Sequence, residues 1–132
     1  MKKVGILIVI LLIITQFFRP TKNNGEHTNI NDIPEDVMAD LKVACYDCHS
    51  NHTVYPWYSN IQPIAFWLNR HIVEGKEKLN FDEPIRHKRY KDIVEEIEEN
   101  EMPLKSYTLV HHDAKLNTVQ KNRIITWAKS RQ

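Results

Sequence analysis

The chain has 132 residues, 42% hydrophobic and 27% charged, which suits one globular domain. That excludes a disordered tail, a collagen-like repeat and a polytopic membrane protein. Basic and acidic residues nearly balance, 18 against 17, and Lys2, Lys3 and Arg19 belong to a distinct N-terminal segment. No basic surplus marks a nucleic-acid site, and three glycines build no Gly-rich phosphate loop.

Residues 1–19 open with Lys2-Lys3, continue as an apolar run of Ile, Leu and Val, and close on Gln16-Phe17-Phe18. A positive start before an apolar run is a secretory signal pattern. No small-x-small cleavage site follows, and the first cysteine is Cys45, too late for a lipid anchor. The expectation is an uncleaved transmembrane signal-anchor with the membrane as partner; a cleaved signal is the alternative. About fifteen apolar residues span only about 22 Å as helix, short of the ~30 Å hydrocarbon core. The anchor therefore needs Lys2, Lys3 and Arg19 to snorkel. It would hold the body at the periplasmic face of the cytoplasmic membrane; cleavage would free it into the periplasm. Residues 20–33 are polar, contain Pro20 and Gly25, and read as a tether.

Residues 34–132 read as all-α, because no stretch sustains a period-two alternation. One helix starts near Pro34, a favoured first position, puts Val37, Leu41 and Ala44 on one face and runs into Cys45. A second starts near Pro63; Ile64, Trp67, Leu68, His71 and Ile72 share its inward face and Gly75 closes it. A third covers Ile85 to Glu99, with Tyr90, Ile93, Val94 and Ile97 inward and a solvated glutamate face. The fourth opens on Asn117 with Gln120 three residues on, a capping box, and lines Val119, Ile124, Trp127 and Ala128 along one side.

Cys45-Tyr46-Asp47-Cys48-His49 is C-x-x-C-H, the c-type haem attachment signature. The two thiols add across the porphyrin vinyl groups, and the next imidazole supplies the proximal iron ligand. These are the only two cysteines, so one covalent haem c is expected on Cys45 and Cys48, with His49 as proximal ligand. A zinc site lacks a second half-motif, and a thioredoxin-like pair lacks its βαβ context. The Glu101-Met102-Pro103 loop between the last two helices offers Met102 as distal ligand; Met/His is a recognised pairing. His71 and His111 are the alternatives. Met38 reads as core, His52 is too near His49, and His27 and His87 read as surface. Trp57, Tyr58, Asn60 and Arg70 are the expected pocket and propionate donors.

These residues also resemble a family of small exported haem-binding domains, common in the Bacteroidetes. Its pattern resembles Cys45 to Asn51, Tyr55 to Asn60, His71 to Gly75, Leu79 to Phe81, Glu101 to Leu104, Tyr107 to Leu109, Ala114 to Leu116 and Trp127. His112 departs from it, standing where the family often has proline. The resemblance implies covalent haem on Cys45 and Cys48 with His49 as ligand. More distantly, the order of elements is similar to class I cytochromes c, which implies that the first and last helices of the body pack, Val37 and Leu41 against Ile124 and Trp127. The function expected is a membrane-tethered monohaem electron carrier, not a catalyst, serving redox partner proteins. The alternative is a haem-based gas sensor or peroxidase-like module with an open or displaceable sixth position, which would need a distal base from His71, His111 or His112.

Overall fold

The computed structural model describes residues 2–22, 24–26, 28 and 30–132; His27 lies outside them. Among the described residues the regular structure is helical: α1 (Lys2–Thr15), α2 (Glu35–Ala44), α3 (Tyr46–His49), α4 (Ile64–Lys78), α5 (His87–Glu98), α6 (Lys105–Thr108) and α7 (Thr118–Ser130). Two 3-10 turns, Trp57–Asn60 and His112–Ala114, fall in the connections. The short elements α3 and α6 and both turns have no periodicity to betray them in the sequence.

The expected transmembrane anchor is overturned. No helix among the described residues is long and apolar enough to cross a membrane. At 14 residues, α1 rises only about 21 Å against a ~30 Å core. Its end is set chemically. Thr15 Oγ1 and Gln16 Nε2 both donate to the Leu12 carbonyl, at 2.8 and 2.9 Å, and the backbone tightens into i to i+3 bonds through Phe18. Pro20 then disfavours helix in the residue before it. Gln16 Oε1 accepts from Gln62 N at 3.0 Å, and Gln62 Nε2 donates to the Phe18 carbonyl, so this end is tied to the body.

The segment read as a tether also lies along the body. Thr28 N and Oγ1 bond to Asp82, Asn31 Nδ2 donates to the Phe81 carbonyl and Asn31 Oδ1 accepts from Ile85 N. Ile33 is buried in the core.

The core lies between α2, α5 and α7. Val37, Met38, Leu41 and Ala44 of α2 meet Tyr90, Ile93, Val94 and Ile97 of α5 and Ile124, Trp127 and Ala128 of α7. Each fully buried aliphatic side chain contributes about 1.5–3 kcal/mol. Tyr90 and Trp127 meet edge to face at 5.5 Å. Two expected faces rotate. α4 buries Ala65, Leu68, Ile72 and Gly75, leaving Ile64 and Trp67 nearly half exposed; its small residues let α3 approach, so the large ones turn out. α4 also continues three residues past Gly75 to Lys78. In α7, Val119 is 66% exposed, on the side away from the buried Ile124, Trp127 and Ala128.

α7 is fixed to α2 by a polar clasp. The capping box forms: Gln120 N donates to Asn117 Oδ1 and Asn117 N to Gln120 Oε1. Gln120 Nε2 also donates to Asp40 Oδ1 at 3.0 Å, and Arg123 Nη1 to Asp40 Oδ2 at 2.9 Å. Asp40 is buried, so removing it would leave Gln120 Nε2 without its acceptor and Arg123 with only its contacts to Asp36. Asp40→Ala should lower the unfolding free energy by about 2–3 kcal/mol. A urea titration reads this as a lower midpoint at constant slope; an unmoved midpoint would contradict it.

Candidate functional site

α2 hands directly to α3 at Cys45, whose N–H still donates to Leu41 O. One turn later both Cys48 N and His49 N donate to Cys45 O, at 3.1 and 2.9 Å. Ser50 then stops the helix: its hydroxyl donates to Tyr46 O and accepts from His52 N. The exit is strapped to the loop after α4. Phe81 N donates to His49 O at 2.8 Å, Asn51 N to Asp82 Oδ2 at 2.6 Å, and Tyr46 stacks on Phe81 at 5.4 Å.

His49 is oriented by two backbone carbonyls, with its ring edge to face against Phe81 at 6.5 Å. Its Nδ1 lies 3.0 Å from the Gly75 carbonyl and 3.1 Å from the Leu79 carbonyl. Both are acceptors, so Nδ1 carries the proton and Nε2 the lone pair. Burial holds the ring's pKa below its usual value, which keeps it neutral. A neutral imidazole whose second nitrogen is held by a carbonyl is the arrangement of a metal-ligating histidine. Gly75 permits the contact: a Cβ there would stand 2.7 Å from Cys48 O.

His49 opens on a cleft of about 370 Å³. Leu41 and Ala44 of α2, Ile93 and Ile97 of α5, and Phe81 supply apolar wall; Cys45, His49 and Met102 line the same space. Met102 reaches it because Glu101 N and Met102 N both donate to Glu96 O, at 3.0 and 3.1 Å, folding the loop back over the end of α5. Lys78, Arg89, Asp92 and Glu96 add charge to the cleft wall, and Arg89 Nη1 donates to Asp92 Oδ2 at 2.8 Å.

Cys48 is half-buried against Gly75 and is not on this wall. Both thiols are free. Burial pushes the Cys45 pKa up to about 12 and the Cys48 pKa to about 11, so both are protonated at neutral pH. This is the reverse of an activated redox pair.

The other expected site residues lie elsewhere. His71 Nδ1 is 2.9 Å from its own helix's Trp67 carbonyl, its ring against Trp67, so it does not point into the cleft. His111 Nε2 lies 2.6 Å from Tyr58 Oη and its ring stacks on Tyr107 at 4.4 Å. Trp57 is 76% exposed, Asn60 Nδ2 donates to Trp57 O, and Arg70 is an exposed partner of Glu74. None of the six lines the cleft. The basic residues that do line it are Lys78 and Arg89. Arg89 was findable, since it stands four residues before Ile93 on the inward face of α5.

The donors fit a haem: a neutral imidazole with a free lone pair and a thioether share an apolar cleft with cations on its wall. The chain belongs to the haem-binding domain family, which it matches over residues 10–130. No curated protein and no solved structure matches it.

Gly75→Ala puts a methyl group against the Cys48 carbonyl, which must move and carry the His49 acceptor geometry with it. Overpacking of this kind costs about 1–3 kcal/mol. Thermal unfolding of the haem-loaded protein should show a lower midpoint, and its absorption spectrum should shift as His49 ligation weakens. A Gly75→Ala variant that behaves like the parent in both respects would remove the close approach from the argument.

Proposed function

We propose that the cleft holds one haem c, attached through Cys45 and Cys48 and ligated by His49 and Met102, and that the protein is a monohaem electron carrier. The reading rests on one observation above others: Cys45, His49 and Met102 share one apolar cleft although 53 residues of chain separate the imidazole from the thioether. Bound there, haem iron would supply a one-electron ferrous/ferric couple. The residues do the rest. The Gly75 and Leu79 carbonyls hold the imidazole with Nε2 outward. The bonds to Glu96 O hold Met102 in the cleft wall. Leu41, Ile93 and Ile97 exclude water and favour the reduced state, raising the potential together with a thioether ligand. Lys78 and Arg89 are the cations available to propionate carboxylates. With His49 and Met102 both available to the iron, no position would remain for a substrate, which would favour electron transfer between partner proteins over catalysis or gas binding. Lys2-Lys3 ahead of an apolar helix supports export, and a periplasmic domain is the location this reading favours.

Covalent attachment is tested by expressing the chain with cytochrome c maturation machinery, denaturing it and measuring intact mass. The chain should carry the added mass of one haem, and Cys45→Ala/Cys48→Ala should carry none; a bare parent chain would refute attachment. The distal ligand is tested by spectroscopy. Ferric protein should show a weak near-infrared charge-transfer band that Met102→Ala abolishes, with a lower reduction potential and new binding of carbon monoxide. His71→Ala and His111→Ala should leave the band intact. Fast carbon monoxide binding by the unaltered protein would instead favour the ligand-binding reading.

A further inference from the structure

A second cavity, of about 520 Å³, shares only Met102 and Pro103 with the cleft that contains His49. Its volume is in the range of small-molecule sites. Leu109 and Leu116 add apolar wall to Met102 and Pro103. Three cations, Lys105, Lys115 and Lys121, line it together with His112, and no lining residue is acidic. On α5, Glu95 pairs with Lys91 and Glu98 with Lys129; Glu101 and Asp113 adjoin lining residues in the chain without lining the cavity themselves. Lys121 is held in place by Asn100, whose Oδ1 accepts from its Nζ. Three ammonium groups around one concavity with no carboxylate on its wall focus a positive potential into it. An apolar wall beside them selects against a bare, strongly hydrated ion.

We propose that this cavity is a second ligand site, for a small organic anion: an apolar body against Met102, Pro103, Leu109 and Leu116, with carboxylate or phosphate groups on the three lysines. An occupant touches the same Met102 that walls the haem cleft. Anion binding and thioether ligation are therefore linked, each shifting the other by the same factor. That coupling rests on Met102 being the distal ligand; the binding itself does not.

The test uses the haem-loaded protein and benzene-1,2,4-tricarboxylate as probe, titrated calorimetrically at constant ionic strength set with sodium chloride. Binding should be saturable with one site. Lys115→Gln/Lys121→Gln should weaken it by about tenfold or more, a loss of about 1.4 kcal/mol. Lys91→Gln/Lys129→Gln, which removes as much charge away from the cavity, should leave it within about twofold. Equal loss in both double variants would mean general attraction and overturn the site. So would no binding by the parent combined with a shifted haem absorption spectrum in the cavity variant, which would assign these lysines to the propionates of the chain's own haem. Met102→Leu should lose the near-infrared band and keep the titration. A parent without that band would defeat the ligation reading while the titration still decided the anion site. Saturating probe should shift the band; an unshifted band would overturn the coupling.

Discussion

The His49 ring gives its Nδ1 proton to carbonyls at the end of α4, and the rest of the site is arranged around that contact. The acceptors are Gly75 O and Leu79 O, at 3.0 and 3.1 Å, four residues apart on a helix that is just ending. Gly75 O also accepts from Leu79 N at 2.9 Å, and a carbonyl oxygen has a second lone pair for the ring; Leu79 O lies past the end of the helix, where no intrahelical donor reaches it. The approach needs α3 to lie almost on the backbone of α4. A residue with no Cβ at position 75 makes the space, with Cys48 O where that carbon would be. The same closeness explains why the buried positions of α4 are Ala65, Leu68, Ile72 and Gly75, and why its larger apolar residues face outward.

Burial then acts on three groups in the same direction. It keeps the imidazole neutral and both thiols protonated. A neutral imidazole is a ligand, whereas an imidazolium is not. Protonated thiols are poor nucleophiles toward disulfides, which suits cysteines that keep their sulfur for one bond. The long loop that brings Met102 into the cleft is fixed at both ends: by Glu96 O on one side, and on the other by Tyr107, whose hydroxyl donates to Asp47 Oδ2 at 2.5 Å. Asp47 lies between the two cysteines, so the motif that carries His49 also holds the segment that follows Met102. His111 takes part in this fastening, between Tyr58 and Tyr107. Burial and the neighbouring Asp47 raise the pKa of both tyrosines, so both stay protonated hydroxyls.

The C-x-x-C-H spacing, the helical class of the body, the capping box at Asn117 and the inward rows of α2 and α5 were legible in the sequence, because each is a short-range pattern with one physical meaning. Met102 was legible as a candidate through its place before Pro103. The length of α1 was legible too, and it falls short of a span; what failed was the expectation that flanking charges would make up the difference, since no helix among the described residues is long and apolar enough to cross a membrane. The inward face of α4 is partly hidden for a different reason. Apolar size does not mark burial on this helix: Leu68 and Ile72 face inward as expected, but they share that face with Ala65 and Gly75, and at Gly75 the close approach of Cys48 leaves no room for a side chain.

The sequence by itself determined which chemistry the chain can offer, two thiols and an imidazole at one helical turn's spacing and a thioether far downstream, because those are properties of residue types and short spacings. Only the tertiary structure decided which of several histidines, aromatics and cations meet in one cleft. His71 and His111 are spent on a helix carbonyl and a tyrosine, while Lys78 and Arg89 reach the cleft wall. Those outcomes depend on helix rotation and on contacts between residues tens of positions apart, which no local pattern encodes.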